Sequence, residues 1–574
     1  MRDWTKPAVT FLLSLGLFAL CLYVYLSKLP VNFTYDGMVF AERVENSDTP
    51  LYKFFHPHHL IYAFLGRLFY LWGRDHGAAW DGMVALQFFD ILIGILGVLI
   101  AFHLLVRKTK DPFVSFLTAL GMSFTFSYWY FSTSPGVRIF ATVTPLLTWY
   151  LLTFLKERGP AFGVLLGLSH GLAVLGHQTN LMLIPAFLGG ICCVREKSAG
   201  ERFWFCIYYL SSLNLGVLSF YAFVGRFIYF HKTYASWIYW VFAYFHVQGW
   251  GGYLPAAGFE QGKLAMLKAF LAKTNPDPGP NQPITLEFVK TLFQYAIFIC
   301  LGFLLVRFRL FWESYRQTLW VGVIWIGVFV PFFLWWEPWN IEFWVSSTVP
   351  CWILMGVTVS AISQRWTNPV LHFANRGIVI LLWTGLVALL YLYNFQSSIK
   401  KTAVTHSAKP LLEAIDWKVG AEDLLMLTGI NTVPFYIDRY QKRHYLSLHS
   451  FLRKYEVKKD KPPANHSQGR DQDPWEDLSL LLDHTWKRHH KVWVLSEVVN
   501  KNDEWNLKFI RLMNLPPDRL SQFLGQYLLK PVPYHGKTYF YSMSKPIPTP
   551  IPAAPPSKEP VPGTKGGKKL RKKT

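Results

Sequence analysis

Eleven apolar runs, most of them about as long as a bilayer is thick, limit this chain more than anything else in its sequence. They fall at roughly 8–28, 86–106, 113–130, 139–155, 160–176, 180–194, 203–224, 289–306, 319–336, 343–363 and 377–394. A helix crosses the hydrocarbon core with about 20 apolar residues, or fewer when it is short or irregular. Only 16% of the 574 residues are charged, and 52% are hydrophobic. Soluble domains carry about 25% charged residues, so an ordinary cytosolic enzyme is excluded, as is a disordered chain. The first run continues into Ser27-Lys28-Leu29-Pro30 without a small-x-small cleavage site, so it reads as a span and not as a signal peptide. The cysteines (21, 192, 193, 206, 300 and 351) all lie in apolar runs, which leaves no disulfide framework.

Lys and Arg set the expected orientation. Arg107-Lys108-Thr109-Lys110, Lys156-Glu157-Arg158, Arg195 to Arg202, Arg307 to Arg316 and Arg365 to Arg376 fall on the same side as Arg2 and Lys6. These segments hold 15 Lys+Arg in about 50 residues, against 12 in about 140 on the other side, so the N-terminus is expected in the cytoplasm of a multi-pass inner- or plasma-membrane protein. Basic clusters flank both ends of 160–194, which makes that stretch a hairpin. Eleven crossings then leave the C-terminal segment outside, despite Lys400, Lys401 and the basic end at 568–573. The net charge of +22 divides into +9 over 1–395 and +13 over 396–574. Without stacking or groove-reading motifs it points to membrane phosphates and not to nucleic acid.

The expected fold class is an α-helical polytopic membrane domain over 1–395, followed by a small external α/β domain over 396–545 and a disordered Pro/Lys-rich tail over 546–574. Two external segments interrupt the spans. In 29–85, Leu60 to Trp72 reads as an interfacial helix. In 226–288, an aromatic stretch and Gly249 to Gly252 precede an amphipathic helix at 263–273 with Leu264, Met266, Leu267, Phe270 and Leu271 on its apolar face; Asn275 to Pro283 ends it. In the α/β domain, Pro410–Trp417 and Glu476–Trp486 read as helices. Asp423–Thr428, Val492–Ser496 and Thr538–Ser542 read as strands, and 453–475 as a loop. Asn32-Phe33-Thr34 and Asn465-His466-Ser467 match the glycosylation sequon, a pattern common by chance.

Several ionisable residues fall at the expected outer boundary, where they are functional candidates by default. Asp36, in Tyr35-Asp36-Gly37 through Glu42, is a solvated loop acid, a cap for a helix beginning at Gly37, or a catalytic carboxylate. His56-Pro57-His58-His59 contacts an anionic headgroup, forms a plain interfacial turn, or binds a metal, the last with spacings unlike known zinc sites. His177 sits at the polar tip of the 160–194 hairpin, whereas His103 and His170 read as packed core histidines. Trp335-Trp336-Glu337-Pro338-Trp339-Asn340-Ile341-Glu342-Phe343-Trp344 combines aromatic faces with carboxylates, a pairing suited to a sugar's C–H faces and hydroxyls. Arg138, Arg226 and Lys232 flank outer span ends, where they clamp a lipid phosphate or simply snorkel. Walker A, Rossmann and Gly-x-Ser-x-Gly motifs are absent.

Three stretches resemble the GT-C membrane glycosyltransferases, in particular the bacterial branch related to protein O-mannosyltransferases and aminoarabinose transferases. They are Tyr35-Asp36-Gly37 to Glu42, His56 to Tyr62, and Gly171 to Thr179. The family's Asp-Glu pair after the first span is replaced by Asp36-Gly37. The resemblance implies a polyprenyl-phosphate-linked sugar as donor and Asp36 as the base that deprotonates an acceptor hydroxyl. It also implies cationic help for the leaving phosphate from Arg138, Arg226, Lys232 or the His56–His59 group. It requires no soluble cofactor and leaves a divalent metal, and the acceptor (protein, lipid or glycan), open. The rival class is a transporter of a sugar or lipid-linked solute. Few charges lie within the spans, Asp90 being the clearest, and no half-to-half repeat is evident. A membrane scaffold would leave the boundary acids without a purpose.

Overall fold

The computed structural model describes residues 5–31, 33–242, 255–272, 285–364, 369–400, 409–430, 433–441, 443–459, 473–513 and 515–545. Both sequons, the glycines at 249–252, Asn275 to Pro283 and the 546–574 tail lie wholly or partly outside the described residues. The chain divides into two compact units, Met1–Lys409 and Pro410–Thr574.

The first unit is helical: α1 (Thr5–Ser27), α2 (Tyr35–Glu45), α3 (Tyr62–Asp75), α4 (Gly82–Thr109), α5 (Pro112–Phe124), α6 (Phe126–Thr133), α7 (Val137–Leu152), α8 (Phe162–Gly176), α9 (Ile184–Cys192), α10 (Ala199–Phe223), α11 (Tyr234–Val241), α12 (Pro255–Phe270), α13 (Thr285–Val306), α14 (Phe308–Trp336), α15 (Ile341–Ser363) and α16 (Pro369–Asn394). All eleven apolar runs fall on these helices. Seven are long and apolar enough to cross a membrane, and four more are shorter apolar helices.

The third run is broken where the sequence suggested one span. Thr125 is extended (φ −59°, ψ 133°) and separates α5 from α6. Unpaired backbone is tolerated at membrane depth only when protein buries and satisfies it. Here the Trp352 indole donates to Thr125 Oγ1 at 2.7 Å. The buried Asn394 amide donates to the carbonyls of Phe124 (2.8 Å) and Phe270 (2.9 Å), and its oxygen accepts from Ala272 N. One side chain at the end of α16 therefore caps α5 and α12 together.

The 160–194 stretch is a hairpin. After α8 the chain turns through a 3-10 segment at Gln178–Leu183, and Asn180 folds back to donate to Ala141 O and Ala173 O. His170 is fully buried and satisfied, donating from Nε2 to Asn180 O and accepting from Tyr209 OH. His103 differs from the expectation: it is half-exposed and bonds Ser14 of α1 at 3.2 Å, so it joins two helices at their rim.

Helix α3 buries Tyr62, Ala63, Gly66 and Gly73 while exposing Leu68 and Trp72, the asymmetry expected of an interfacial helix. Helix α12 turns much of its expected apolar face inward: Phe270 and the following Leu271 are buried, and Met266 and Leu267 pack against the core. Small residues, Gly262, Ala265 and Ala269, are buried alongside Phe270, and Gly262 lies so close to Leu334 and Trp344 that a Cβ would collide with them. The helix is packed onto α14 and α15 as part of the core.

The second unit contains α17 (Lys409–Lys418), β1 (Leu424–Leu427), α18 (Val433–Tyr440), β2 (Tyr445–Ser447), α19 (Leu448–Lys459), α20 (Pro474–Lys487), β3 (Val492–Leu495), α21 (Ser496–Val499), α22 (Glu504–Leu512), α23 (Arg519–Leu524), β4 (Leu528–Tyr534) and β5 (Lys537–Ser544). Its sheet has the order β2-β1-β3-β5-β4, with β1, β2 and β3 parallel and β5 and β4 antiparallel. Met426 pairs with both Leu446 and Val494, and Val494 with Tyr541. Two strands escape sequence reading. β2 has three residues, and β4 carries Pro531 and Pro533, which an edge strand accommodates because one side of it needs no donors. The expected loop at 453–475 begins as the last turns of α19, and residues 460–472 lie outside the described residues.

Candidate active site at one end of the helical bundle

Asp36 lies in the first turn of α2. The cap is Thr34, whose Oγ1 accepts from Gly37 N at 3.1 Å, so Asp36 is not needed as a cap. Asp36 is half-exposed and makes no side-chain hydrogen bond or ion pair with the described residues. Its neighbour Gly37 explains the missing Asp-Glu pair, because a Cβ there would stand 2.2 Å from Pro135 O. Helix α2 thus touches the turn that precedes α7.

Arg138, in the first turn of α7, is the hub. Its Nε donates to Glu342 Oε2 at 3.2 Å and its Nη1 lies 3.1 Å from His177 Nε2. A guanidinium only donates, so His177 Nε2 accepts; Nδ1 lies 2.8 Å from Thr179 Oγ1 and 3.3 Å from Thr179 N, capping the segment that follows. Arg138 also stacks its guanidinium 4.2 Å over the Phe343 ring. From Glu342 the contacts continue: Asn340 caps α15 by accepting from Glu342 N at 3.1 Å, and its amide donates to Glu337 Oε2 at 2.8 Å. Glu337 is buried. The two acids of the Trp-rich stretch therefore sit near lipid because they tie helix ends together. Trp339 is 44% exposed, Trp335 is also exposed, and Trp336 and Trp344 are packed inside.

Backbone hydrogen bonds stitch the histidine loop to the hairpin tip: Leu60 N to Leu175 O (2.8 Å) and Gln178 N to His58 O (2.9 Å). Tyr221 OH donates to Pro57 O and Tyr229 OH to Phe55 O, anchoring the loop from the side of α10. His56 stacks on His59 at 4.5 Å, and His59 lies 6.1 Å from the His177 ring. Two stretches separated by more than a hundred residues thus form one imidazole cluster.

Burial disfavours positive charge on that cluster. Burial, then the neighbouring His58 and Arg43, push His56 down to about 3. Burial, then Arg138, lower His58 to about 4. His59 and His177 are held well below 6.5, first by burial and then by neighbouring histidines and Arg138. Burial and the neighbouring cations thus disfavour a positive charge on these imidazoles and leave them as hydrogen-bonding groups. Among the described residues no three His, Cys, Asp or Glu side chains gather as a metal site.

The remaining candidates stay outside the network. Glu42 is exposed about one and two-thirds turns beyond Asp36 on α2. Arg226 is exposed on a π-turn at Val224–Ile228 and donates to His231 O at 3.3 Å; Lys232 is exposed nearby. Sequence reading missed a buried contact beneath the site. Tyr62 OH donates to Asp90 Oδ2 at 2.8 Å, and Gly136 N donates to the same oxygen at 3.0 Å. The available signal was Asp90 itself, a carboxylate inside an apolar run.

No family model and no curated protein matches the chain. Solved structures do. The crystal structure of ArnT from Cupriavidus metallidurans bound to undecaprenyl phosphate is 11% identical, with a TM-score of 0.55 over 94% of this chain and 98% of that one. The apo state of the same protein gives 12% identity and a TM-score of 0.53 over 93% and 97%. The Archaeoglobus fulgidus oligosaccharyltransferase tethered to an acceptor peptide gives 10% and 0.49 over 95% and 75%. The likeness to ArnT is one of fold. The chain is an integral multi-pass membrane protein with a fold similar to that of ArnT and a small C-terminal α/β unit.

Proposed function

We propose that this chain is a membrane glycosyltransferase that moves a sugar from a polyprenyl-phosphate-linked donor to an acceptor hydroxyl on the extracytoplasmic face. The observation that carries this reading is the fold shared with ArnT along nearly the whole of both chains. ArnT was crystallised with undecaprenyl phosphate, the carrier chemistry expected here. The charge bias of the loops supports a cytoplasmic N-terminus and an external C-terminal unit.

Asp36, exposed enough to meet an acceptor and without another partner among the described residues, acts as general base. It takes the acceptor hydroxyl proton as the acceptor oxygen bonds to the sugar's anomeric carbon. The bond from that carbon to the phosphate oxygen breaks, and polyprenyl phosphate leaves with the electron pair. Arg138 supplies positive charge within the network, and the exposed Arg226 and Lys232 are placed to meet a headgroup at the rim. The histidines and Asn340 offer hydrogen bonds to sugar hydroxyls. The step is written without a metal, and turnover with and without a divalent cation tests that.

The test is turnover of radiolabelled polyprenyl-phosphate sugars by purified wild type and Asp36→Asn, with and without divalent metal. Release of sugar by wild type, lost in a folded Asp36→Asn protein, supports the class and the base. Equal turnover by both keeps the class and removes the base. No turnover of any lipid-linked sugar overturns the reading.

A further inference from the structure

A carboxylate inside a membrane helix is expensive and needs a reason. Asp90 of α4 is fully buried, and its two oxygens are used unequally. Oδ2 accepts from both Tyr62 OH and Gly136 N, whereas Oδ1 is buried without a hydrogen-bond partner among the described residues.

The three groups joined at Oδ2 lead to every part of the candidate site. Tyr62 opens α3 and follows the histidine loop by two residues, where Leu60 N is bonded to Leu175 O. Gly136 ends the Ser134-Pro135-Gly136 turn and stands two residues before Arg138. Pro135 of that turn presses its carbonyl against Gly37, next to Asp36. Gln87, one turn earlier on α4, donates to Thr133 O at 3.0 Å, so α4 grips the same turn from its other side.

We propose that Asp90 is a positioning residue for the transfer reaction. With Tyr62 it fixes the 134–136 turn, and the turn sets the distance between the base Asp36 and the guanidinium of Arg138. The inference rests on the proposed glycosyl transfer. It adds that the geometry of the site is held from beneath, by a side chain that touches neither donor nor acceptor. The use of one oxygen for two bonds defines what is required at position 90: an acceptor able to take two hydrogen bonds, with no need for charge. An amide oxygen meets that requirement.

The experiment compares full-length wild type, Asp90→Asn, Asp90→Ala and Tyr62→Phe in lipid-linked sugar turnover, with kcat and donor KM measured separately and Asp36→Asn as the inactive reference. A displacement of about 1 Å between reacting groups costs about 100-fold in rate. Asp90→Ala is therefore expected to lose about 100-fold in kcat with donor KM within about threefold, and Asp90→Asn to stay within about threefold of wild type in both. Tyr62→Phe removes one of the two donors to Oδ2 together with the hydroxyl that Gly136 N also reaches at 2.9 Å, and leaves Gly136 N to Asp90 alone; it is expected to fall between them and serves if Asp90→Ala does not fold. A folded Asp90→Ala or Tyr62→Phe protein with wild-type kcat overturns the inference while leaving the transferase reading intact. Loss of kcat in Asp90→Asn equal to that in Asp90→Ala overturns it as well, because charge would then matter and position would not. Absence of turnover in wild type overturns the underlying reading instead.

Discussion

The carboxylate of Glu342 lies 3.2 Å from the guanidinium of Arg138, across 204 residues of sequence. The contact binds the start of α15 to the start of α7, and Thr142 and Ser346, one turn further along the same two helices, repeat the link at 3.1 Å. The Arg138 and Glu342 side chains are only 14% and 19% exposed, so the pair is screened by protein more than by water. Arg138 thus lies between an acid and an imidazole, and under the proposed function a donor phosphate would compete with Glu342 for it.

Breaking such a pair from one side strands a charge. Glu342→Ala is expected to destabilise the membrane unit by about 3 kcal/mol, and Glu342→Gln, which still accepts a hydrogen bond, by about half of that. Thermal unfolding in detergent measures both; a Glu342→Ala protein as stable as wild type would show that the pair contributes nothing.

Asp36 carries the opposite expectation. Because its side chain makes no hydrogen bond or ion pair with a described residue, Asp36→Asn should unfold within about 0.5 kcal/mol of wild type while transfer falls by about 100-fold to 10,000-fold. Parallel loss of stability and rate would reassign Asp36 to the fold.

The buried histidines make stability depend on pH. Each binds a proton more readily unfolded, near 6.5, than folded, where His58 lies at about 4 and His56 at about 3. Proton uptake on unfolding lowers stability as pH falls below about 6.5, by on the order of 2 kcal/mol per histidine at pH 5, and stability is level above about 6.5. Unfolding midpoints at pH 7.5, 6 and 5 check this, and His58→Asn should flatten the slope.

Gly37 is required by space. Gly37→Ala would place Cβ 2.2 Å from the carbonyl oxygen of Pro135, and backbone cannot rotate away as a side chain would. The substitution should push α2 off the turn and reduce turnover at least tenfold, by the sensitivity of about 100-fold per Å used above. Wild-type turnover in Gly37→Ala would mean that this approach plays no part in the reaction.

In the C-terminal unit, Glu497 accepts from Thr428 N (3.0 Å) and Thr428 Oγ1 (2.7 Å) at the ends of β3 and β1. Glu497→Ala leaves a buried N–H without that partner and should cost about 2 kcal/mol. Hydrogen exchange in the full chain should report it as faster exchange across 424–428 and 492–495, with the membrane helices unchanged.

The spans were legible because lipid forces every backbone group to pair within its own helix, so apolar length alone reveals them. The break at Thr125 was not, since its repair depends on Trp352 and Asn394, more than two hundred residues away. β4 was hidden by Pro531 and Pro533, whose cost depends on being at an edge. Arg138, His177, Glu337, Asn340 and Glu342 were each ambiguous alone and were grouped only by the side on which charge counting put them. Arg226, Lys232 and Glu42 passed the same count and remain outside the network. A count along the chain locates a residue near a helix end; which neighbouring helix it meets is decided by packing.

Asn394 imposes an order on biosynthesis. The carbonyls of Phe124 and Phe270 both accept from its amide, yet it belongs to α16, which follows both in the chain. Residue 394 must be in place before either end can be closed, so α5 and α12 are completed by a helix that follows both of them in the chain. Truncation before α16 would therefore remove the keystone of the membrane unit, together with everything downstream.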